Sequence, residues 1–475
     1  MPRDKQNKLP QQLLSLLLFF TLTLVNIPLC AHLSSLAKND ALPMYTTLNI
    51  DEELLLTKEQ LLYKDYDWAE KKRSRGIFSF SPFAQNADRG KTIKGQQQNN
   101  LIAPPGTVLI DTPLGDLTGR TGMIALLYGA IPQGQTLAPA LVTAKNALFP
   151  GSIGQVVNDE AKIDPDQLFG FFSFPETYRK RGVAAQLAVR FADNFGFYIQ
   201  GRVSTIRQVS EDTIDLTDEN GSFEGLSGAE VDLYLMDELH TIADQIGINL
   251  CDFIKTSIEE VRFNLFWRQA FEINKEAQSD WAKFLIIPYV EVGASVSPGK
   301  KDNEHMFFAA PFGNNGHPSV GFTTGVNFDF LETIEIGGEV GYTHFFTRSF
   351  CRPIPNSEFQ TNLFPFSTNV SVSPGDNWFF GARIAAYHFI DKLSMYFEWF
   401  VLDHQQDDID LKKPDPAFLP KVLECTTSFK TKLGNAGFNY DLSPNVGVGF
   451  LWQIPFSQRN SYRSSTLMAS LNVTF

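Results

Sequence analysis

A formal net charge of −13 over 475 residues argues against a nucleic-acid-binding role, which normally wants a basic face. Its slightly negative mean hydropathy, −0.13, is unlike that of a bundle of long membrane helices. Phenylalanine is the outlier at 42 copies, against 13 tyrosines and 6 tryptophans, while four cysteines are too few for a disulfide scaffold.

Residues 1–31 read as a secretory signal. Arg3, Lys5 and Lys8 give a positive start, Leu13–Val25 is an apolar run too short for a membrane span, and cleavage is expected after Ala31. Leu29 is too large for a lipobox ahead of Cys30, so removal of the stretch leaves Cys251, Cys351 and Cys425. Residues 32–166 form an N-terminal extension with a solvated basic run at Lys71–Arg75 and turn-rich text at Gln96–Gly106 and Gly115–Gly122. Three readings stay open for it: a periplasmic domain, a plug, or two further strands formed by Gly76–Phe83 and a partner near Met123–Tyr128.

From residue 167 onward, apolar and polar residues alternate in segments of about ten residues, the period of a strand with two different faces. The segments are 167–174, 181–192, 196–208, 261–273, 281–296, 318–330, 334–347, 377–389, 393–402, 428–441, 445–456 and the C-terminal stretch. The last is among the cleanest: Leu467, Ala469, Leu471, Val473 and Phe475 share one face. That makes twelve strands, or fourteen with the two upstream candidates. Short turns at Asp193–Phe195, Asn274–Asp280, Leu331–Thr333, Ile390–Lys392 and Leu442–Pro444 alternate with generally longer connections. The longest, 209–260, places Leu235, Leu239, Ile242 and Ile246 at helical spacing, predicting an external helical insertion that either caps the mouth or lies on its own loop.

The predicted fold is therefore all-β, an antiparallel transmembrane β-barrel over residues 167–475. No later segment is long and apolar enough to cross as a helix, and open sheets leave backbone groups unpaired in lipid. A soluble sandwich also alternates apolar and polar residues. It does not, however, explain short turns alternating with long loops, or faces rich in glycine and small polar residues.

On these residues the chain resembles the Gram-negative outer-membrane β-barrels, with porin-like channels the nearest functional group. The resemblance covers roughly 167–475. Val473 and Phe475 match the end of the C-terminal signal of that class, whereas Ser470 and Met468 depart from its glycine and polar residue. It implies export to the cell outer membrane, contact with outer-membrane lipids and the barrel-assembly machinery, and a channel through which small hydrophilic solutes diffuse passively. Homo-oligomers occur in the class. The alternative function is a non-conducting structural or adhesive surface protein.

The same alternation points certain charges inward: Arg190, Arg202, Arg262 and Arg268 on earlier strands, and Glu291, Asp329, Glu335, Glu339 and Glu398 on later ones, with Arg383 breaking the segregation. Opposed arcs of charge would set up a transverse field; alternatively the charges pair across neighbouring strands and fill the lumen. No cofactor or metal is expected, and no enzymatic activity. For a hydrolase, the low-probability alternative, Asp403-His404, His344 and His388 lie in no matching motif, and His404 reads as a solvated loop residue. Cys351 and Cys425 both fall in external loops, where a disulfide between them is a candidate.

Overall fold

A computed structural model describes residues 76–93, 109–117, 119–150, 169–192, 194–210, 212–223, 225–273, 284–298, 306–330, 333–390, 392–443 and 445–475. The signal, the basic run and Gln96–Gly106 lie outside them. Among the described residues no helix is long and apolar enough to cross a membrane. The crossing is made by strands.

Twelve antiparallel strands close into a barrel: β1 Gly76–Ala87, β2 Glu176–Ala192, β3 Phe195–Ser210, β4 Phe253–Arg268, β5 Phe284–Val296, β6 Ser319–Phe330, β7 Ile334–Phe345, β8 Asn377–Ile390, β9 Leu393–His404, β10 Phe429–Ser443, β11 Val446–Arg459 and β12 Ser465–Thr474. Every strand pairs with its neighbours in the chain, and β1 pairs with β12 to complete the ring. The two-residue strand Phe271–Glu272 pairs only with β5, below the end of β4. Closure leaves no free edge, the condition for a sheet in lipid.

Outward residues form an apolar belt that includes Phe78, Phe80, Val203, Phe263, Leu265, Val292, Phe322, Phe397, Trp452 and Leu471, all exposed. Exposure of so continuous an apolar surface is stable only against lipid. The seam is closed where the first barrel strand meets the last. Gly76 N–H donates to the Phe475 carbonyl at 3.0 Å and Phe475 N–H donates back to Gly76 at 3.0 Å. Val473 lies in register between Phe78 and Val446, and the Phe475 side chain is 61% exposed at the periplasmic rim.

The strand count is the expected one, but its membership differs. The barrel begins at Gly76, not at residue 167. Phe171–Ser173 pairs with Thr121–Gly122 and Ile214–Asp215 in a small separate sheet, because Phe169, Phe171, Phe172 and Phe174 are all buried and present no polar face. Met123–Tyr128 is not a strand either: Ile124–Leu127 is a turn of 3-10 helix with every side chain buried. The described residues between β1 and β2 therefore neither precede the barrel nor hang in the periplasm; they lie on the side of the long loops.

On that side lies a folded cap. It contains α1 (Pro139–Leu148), the helical run Gly228–Met236 and α2 (Leu239–Gln245). Leu235, Leu239 and Ile242 bury into one core with Ile124, Leu126, Leu141, Phe174 and Phe308, with Ile246 packed at its edge. Tyr178, Ile206 and Phe253, inward residues near the upper ends of β2, β3 and β4, belong to the same core. The predicted helix thus packs over the barrel mouth. Loop side chains stitch the cap together: Gln360 Nε2 donates to Ala125 O at 3.1 Å, Thr361 Oγ1 to Arg120 O at 2.6 Å and Asn362 Nδ2 to Gly119 O at 2.8 Å. A second small core, with Phe350, Ile354, Val370, Ile409 and Phe418, joins the loops after β7 and β9.

Candidate functional site: the barrel lumen

Strand alternation puts every second side chain into the lumen. Arg202, Arg262, Arg268, Glu291, Asp329, Glu335 and Glu398 are all inward and buried; Glu339 is inward and half-buried, and Arg190 is half-buried near the periplasmic end of β2. They do not form two bare arcs of opposite charge.

Basic residues on β2, β3 and β4 are neutralised where they stand. Glu259 receives Lys180 Nζ at 2.8 Å and Arg202 Nη2 at 3.0 Å. Glu260 receives Arg202 Nη2 at 3.0 Å and also pairs with Arg262. Consecutive strand residues normally face opposite ways, yet both glutamates are buried, because a bulge interrupts the β3–β4 register between Ile258 and Val261. That bulge hid the start of β4 from the sequence, where 209–260 reads as a single connection. A pair of adjacent acids just upstream of a clear strand was the available signal.

Arg268 on β4 reaches past two strands to Glu335 on β7 at 3.8 Å, and Arg383 on the adjacent β8 reaches the same carboxylate at 3.0 Å. Arg383, out of place in a segregated scheme, is a partner in a paired one. Tyr198 donates to Glu291 at 3.2 Å, and Tyr289 to Glu339 at 2.8 Å, each spanning an intervening strand. A hydrogen-bonded relay runs round the remaining wall and over the seam. Asn435 donates to Glu398 at 2.7 Å and Gln453 to Asn435 at 3.2 Å; Thr466 donates to Gln453 at 3.3 Å and Gln85 to Thr466 at 3.2 Å.

Glycines make room for these large side chains. A Cβ at Gly325 would lie 2.5 Å from the Tyr289 hydroxyl and 2.6 Å from the Gly338 carbonyl oxygen; one at Gly437 would lie 2.6 Å from the Tyr396 ring. Small residues on one strand thus receive the rings of its neighbour.

One level of the lumen is apolar. Phe83, Ala184, Ala385, Tyr396, Leu451 and Met468 form one buried cluster. Ala184 on β2 and Ala385 on β8 come from opposite walls, so the cluster reaches across the barrel. Beside it, Tyr289, Asn327, Glu339, Arg383 and Glu398 surround a small cavity with room for about one water molecule. Among the described residues, Ser81 Oγ, Gln186 Oε1, Arg262 Nε and Asn327 Nδ2 are buried without a protein hydrogen-bond partner. Such groups call for water.

Two further expectations are corrected. His404 is not solvated. It ends β9 fully buried, stacked on Phe429 at 4.7 Å, with Nδ1 2.6 Å from Asn377 Oδ1 and Nε2 3.0 Å from Asp407 Oδ1. Those contacts tie the following loop to β8 and β9. His344 is exposed and contacts Asp376 at 2.8 Å. Cys351 and Cys425 are free thiols. Phe350 takes the core face of its strand, which turns Cys351 to the exposed side, whereas the helix Pro420–Glu424 that ends at Cys425 packs Leu423 against that core.

No protein-family model matches the chain, and no curated protein matches it by sequence. Solved structures resemble it in shape. An outer-membrane channel from Pseudomonas putida F1 is 8% identical with a TM-score of 0.43, over 86% of this chain and 98% of that one. The translocator domain of the autotransporter NalP from Neisseria meningitidis is 7% identical with a TM-score of 0.33, over 89% and 96%. The toluene transporter TodX from Pseudomonas putida is 8% identical with a TM-score of 0.30, over 92% and 95%. With its closed ring, lipid-facing belt and polar interior, the chain is a twelve-stranded antiparallel transmembrane β-barrel.

Proposed function

We propose that the protein is an outer-membrane channel for passive movement of small hydrophilic solutes, held closed in this conformation by its cap and by the apolar level inside. The observation that carries the reading is the inner wall. It is lined almost throughout by paired charges and amides, with polar atoms that call for water, inside a shell that faces lipid. A wall of this kind offers a solute substitute hydrogen bonds for those it leaves in water. Because the charges are paired, selectivity by a transverse field is weak, and size is the main filter. Opening requires the Phe83–Tyr396–Leu451–Met468 level to part and the cap to shift.

The reading assigns no catalytic step. It takes the Val473–Phe475 ending as the part gripped during assembly, after export directed by residues 1–31. Proteoliposome swelling tests it: slow entry of a pentose and exclusion of a tetrasaccharide are expected. Folded protein that admits no solute of any size contradicts it.

A second reading, a non-conducting anchor that displays the cap at the cell surface, is favoured by the packed lumen. Cell or matrix binding that disappears when loops 346–376 and 405–428 are shortened would support it instead.

A further inference from the structure

The outer wall of β2 and β3 carries a feature that the lumen reading does not use. Arg179, Arg181 and Arg207 point outward and are exposed, alternating with inward Tyr178, Lys180, Ile206 and Gln208. Arg179 and Arg207 lie directly opposite each other in register, and Arg181 faces Thr205. Like charges directly opposed on a sheet are unfavourable unless an anion sits between them. Among the described residues none of the three arginines has an ion pair. Asp88, in line beyond Asn86 at the top of β1, pairs with none of them, and the outward positions on the adjacent strands are Ala84, Asn86, Ile254, Thr256 and Ile258.

Height in the membrane decides what that anion is. Below Arg181 the outward face of β2 is apolar: Val183, Ala185, Leu187, Val189 and Phe191. From Phe191, at the periplasmic end, to Arg181 is a climb of ten positions along the strand. At ~3.3 Å per residue and a tilt near 40° this gives roughly 25 Å, the height of the apolar band of such barrels. The arginines therefore stand at the external boundary of the hydrocarbon, facing sideways into the leaflet rather than up into solvent. A soluble anion is not held there; a lipid headgroup is.

We propose that Arg179, Arg181 and Arg207 form a binding site for the phosphate groups of a phosphorylated glycolipid of the outer leaflet. Guanidinium groups pair bidentately with phosphate oxygens. The acyl chains of the same lipid lie down the strip Val183–Val203–Leu187–Ile199, which is exposed and apolar directly beneath. Thr205 and Thr256, linked by a 2.7 Å hydrogen bond at the same level, bring further hydroxyls to the headgroup. This site rests on the fold and its orientation, not on whether the barrel conducts.

Native mass spectrometry of the full-length barrel in detergent, titrated with diphosphoryl lipid A, tests the assignment. The triple variant R179Q/R181Q/R207Q is expected to retain the lipid on the order of 100-fold more weakly, the combined loss of three interfacial arginines. The variant K432Q, which removes an outward cation on β10, is expected to bind as the parent does. Equal retention by the triple variant and the parent overturns the site. So does equal retention by the parent of dephosphorylated lipid A, or of phosphatidylglycerol. These last comparisons need no variant, so they decide the matter even if the triple variant fails to fold.

Discussion

The barrel wall and the external cap are held together by different forces. Each wall strand has two hydrogen-bonded neighbours, and its outward apolar side chains remain exposed to lipid; stability comes from ladders, from ring closure and from paired charges inside. The cap has only short strands and helices, and its side chains bury one another in an ordinary apolar core. Damage to one region should therefore be separable from damage to the other, although Tyr178, Ile206 and Phe253 belong to both.

The largest effect is expected inside the wall. Glu259→Ala leaves Lys180 and Arg202 buried with one carboxylate fewer, which costs about 3–5 kcal/mol. Urea unfolding in detergent followed by tryptophan fluorescence should register that loss; an unchanged midpoint would mean that the network is not structural. On the lipid side, Phe450→Arg, at an outward position nearer the middle of β11, should cost roughly 2–4 kcal/mol. Gly447→Ser, which faces the lumen, should cost much less. Heat-modifiable mobility in gels reads both, and equal damage would break the inside–outside assignment.

In the cap, Ile242→Val removes one methyl group from a fully buried side chain, for about 0.5–1.5 kcal/mol. Hydrogen exchange should speed up in 226–248 and not in β8–β12. Spread of the change into those strands would show the two regions to be one cooperative unit. Asp232 should have the smallest effect. Burial, reinforced by Asp215, Glu219 and Asp237, raises its pKa to about 6. The folded cap thus holds this proton more tightly than the unfolded chain does. Its contribution is complete below the ordinary aspartate range and is lost as pH rises through about 6. Protection in the cap should fall across that interval, and Asp232→Asn should flatten the fall.

The same contrast explains what the sequence made legible. Wall strands announce themselves because two environments, lipid and lumen, impose a period of two. Hence eleven of the twelve were located from alternation alone, and the lumen faces of Arg202, Glu335 and Glu398 followed. β1 carries the pattern too, with Phe78 and Phe80 outward against Ser79 and Ser81. Its partners, however, are 88 residues downstream and at the far C-terminus, and only ring closure reveals them. The cap has a single environment, so Phe169–Phe174 reads as apolar without a face and passes for a strand. Bulges defeat alternation locally, which is why Glu259 and Glu260 were hidden. Pairing of charges between strands depends on register, which a single chain does not display.

Planar-bilayer recording of the parent beside the double variant F83A/M468A tests the closed-channel account most directly, since those two side chains fill the apolar level without contributing charge. The expected result is rare, brief openings for the parent and frequent steps of defined conductance for the variant. If both proteins are folded and both remain silent, the lumen is not a pathway and the closed-channel account is wrong.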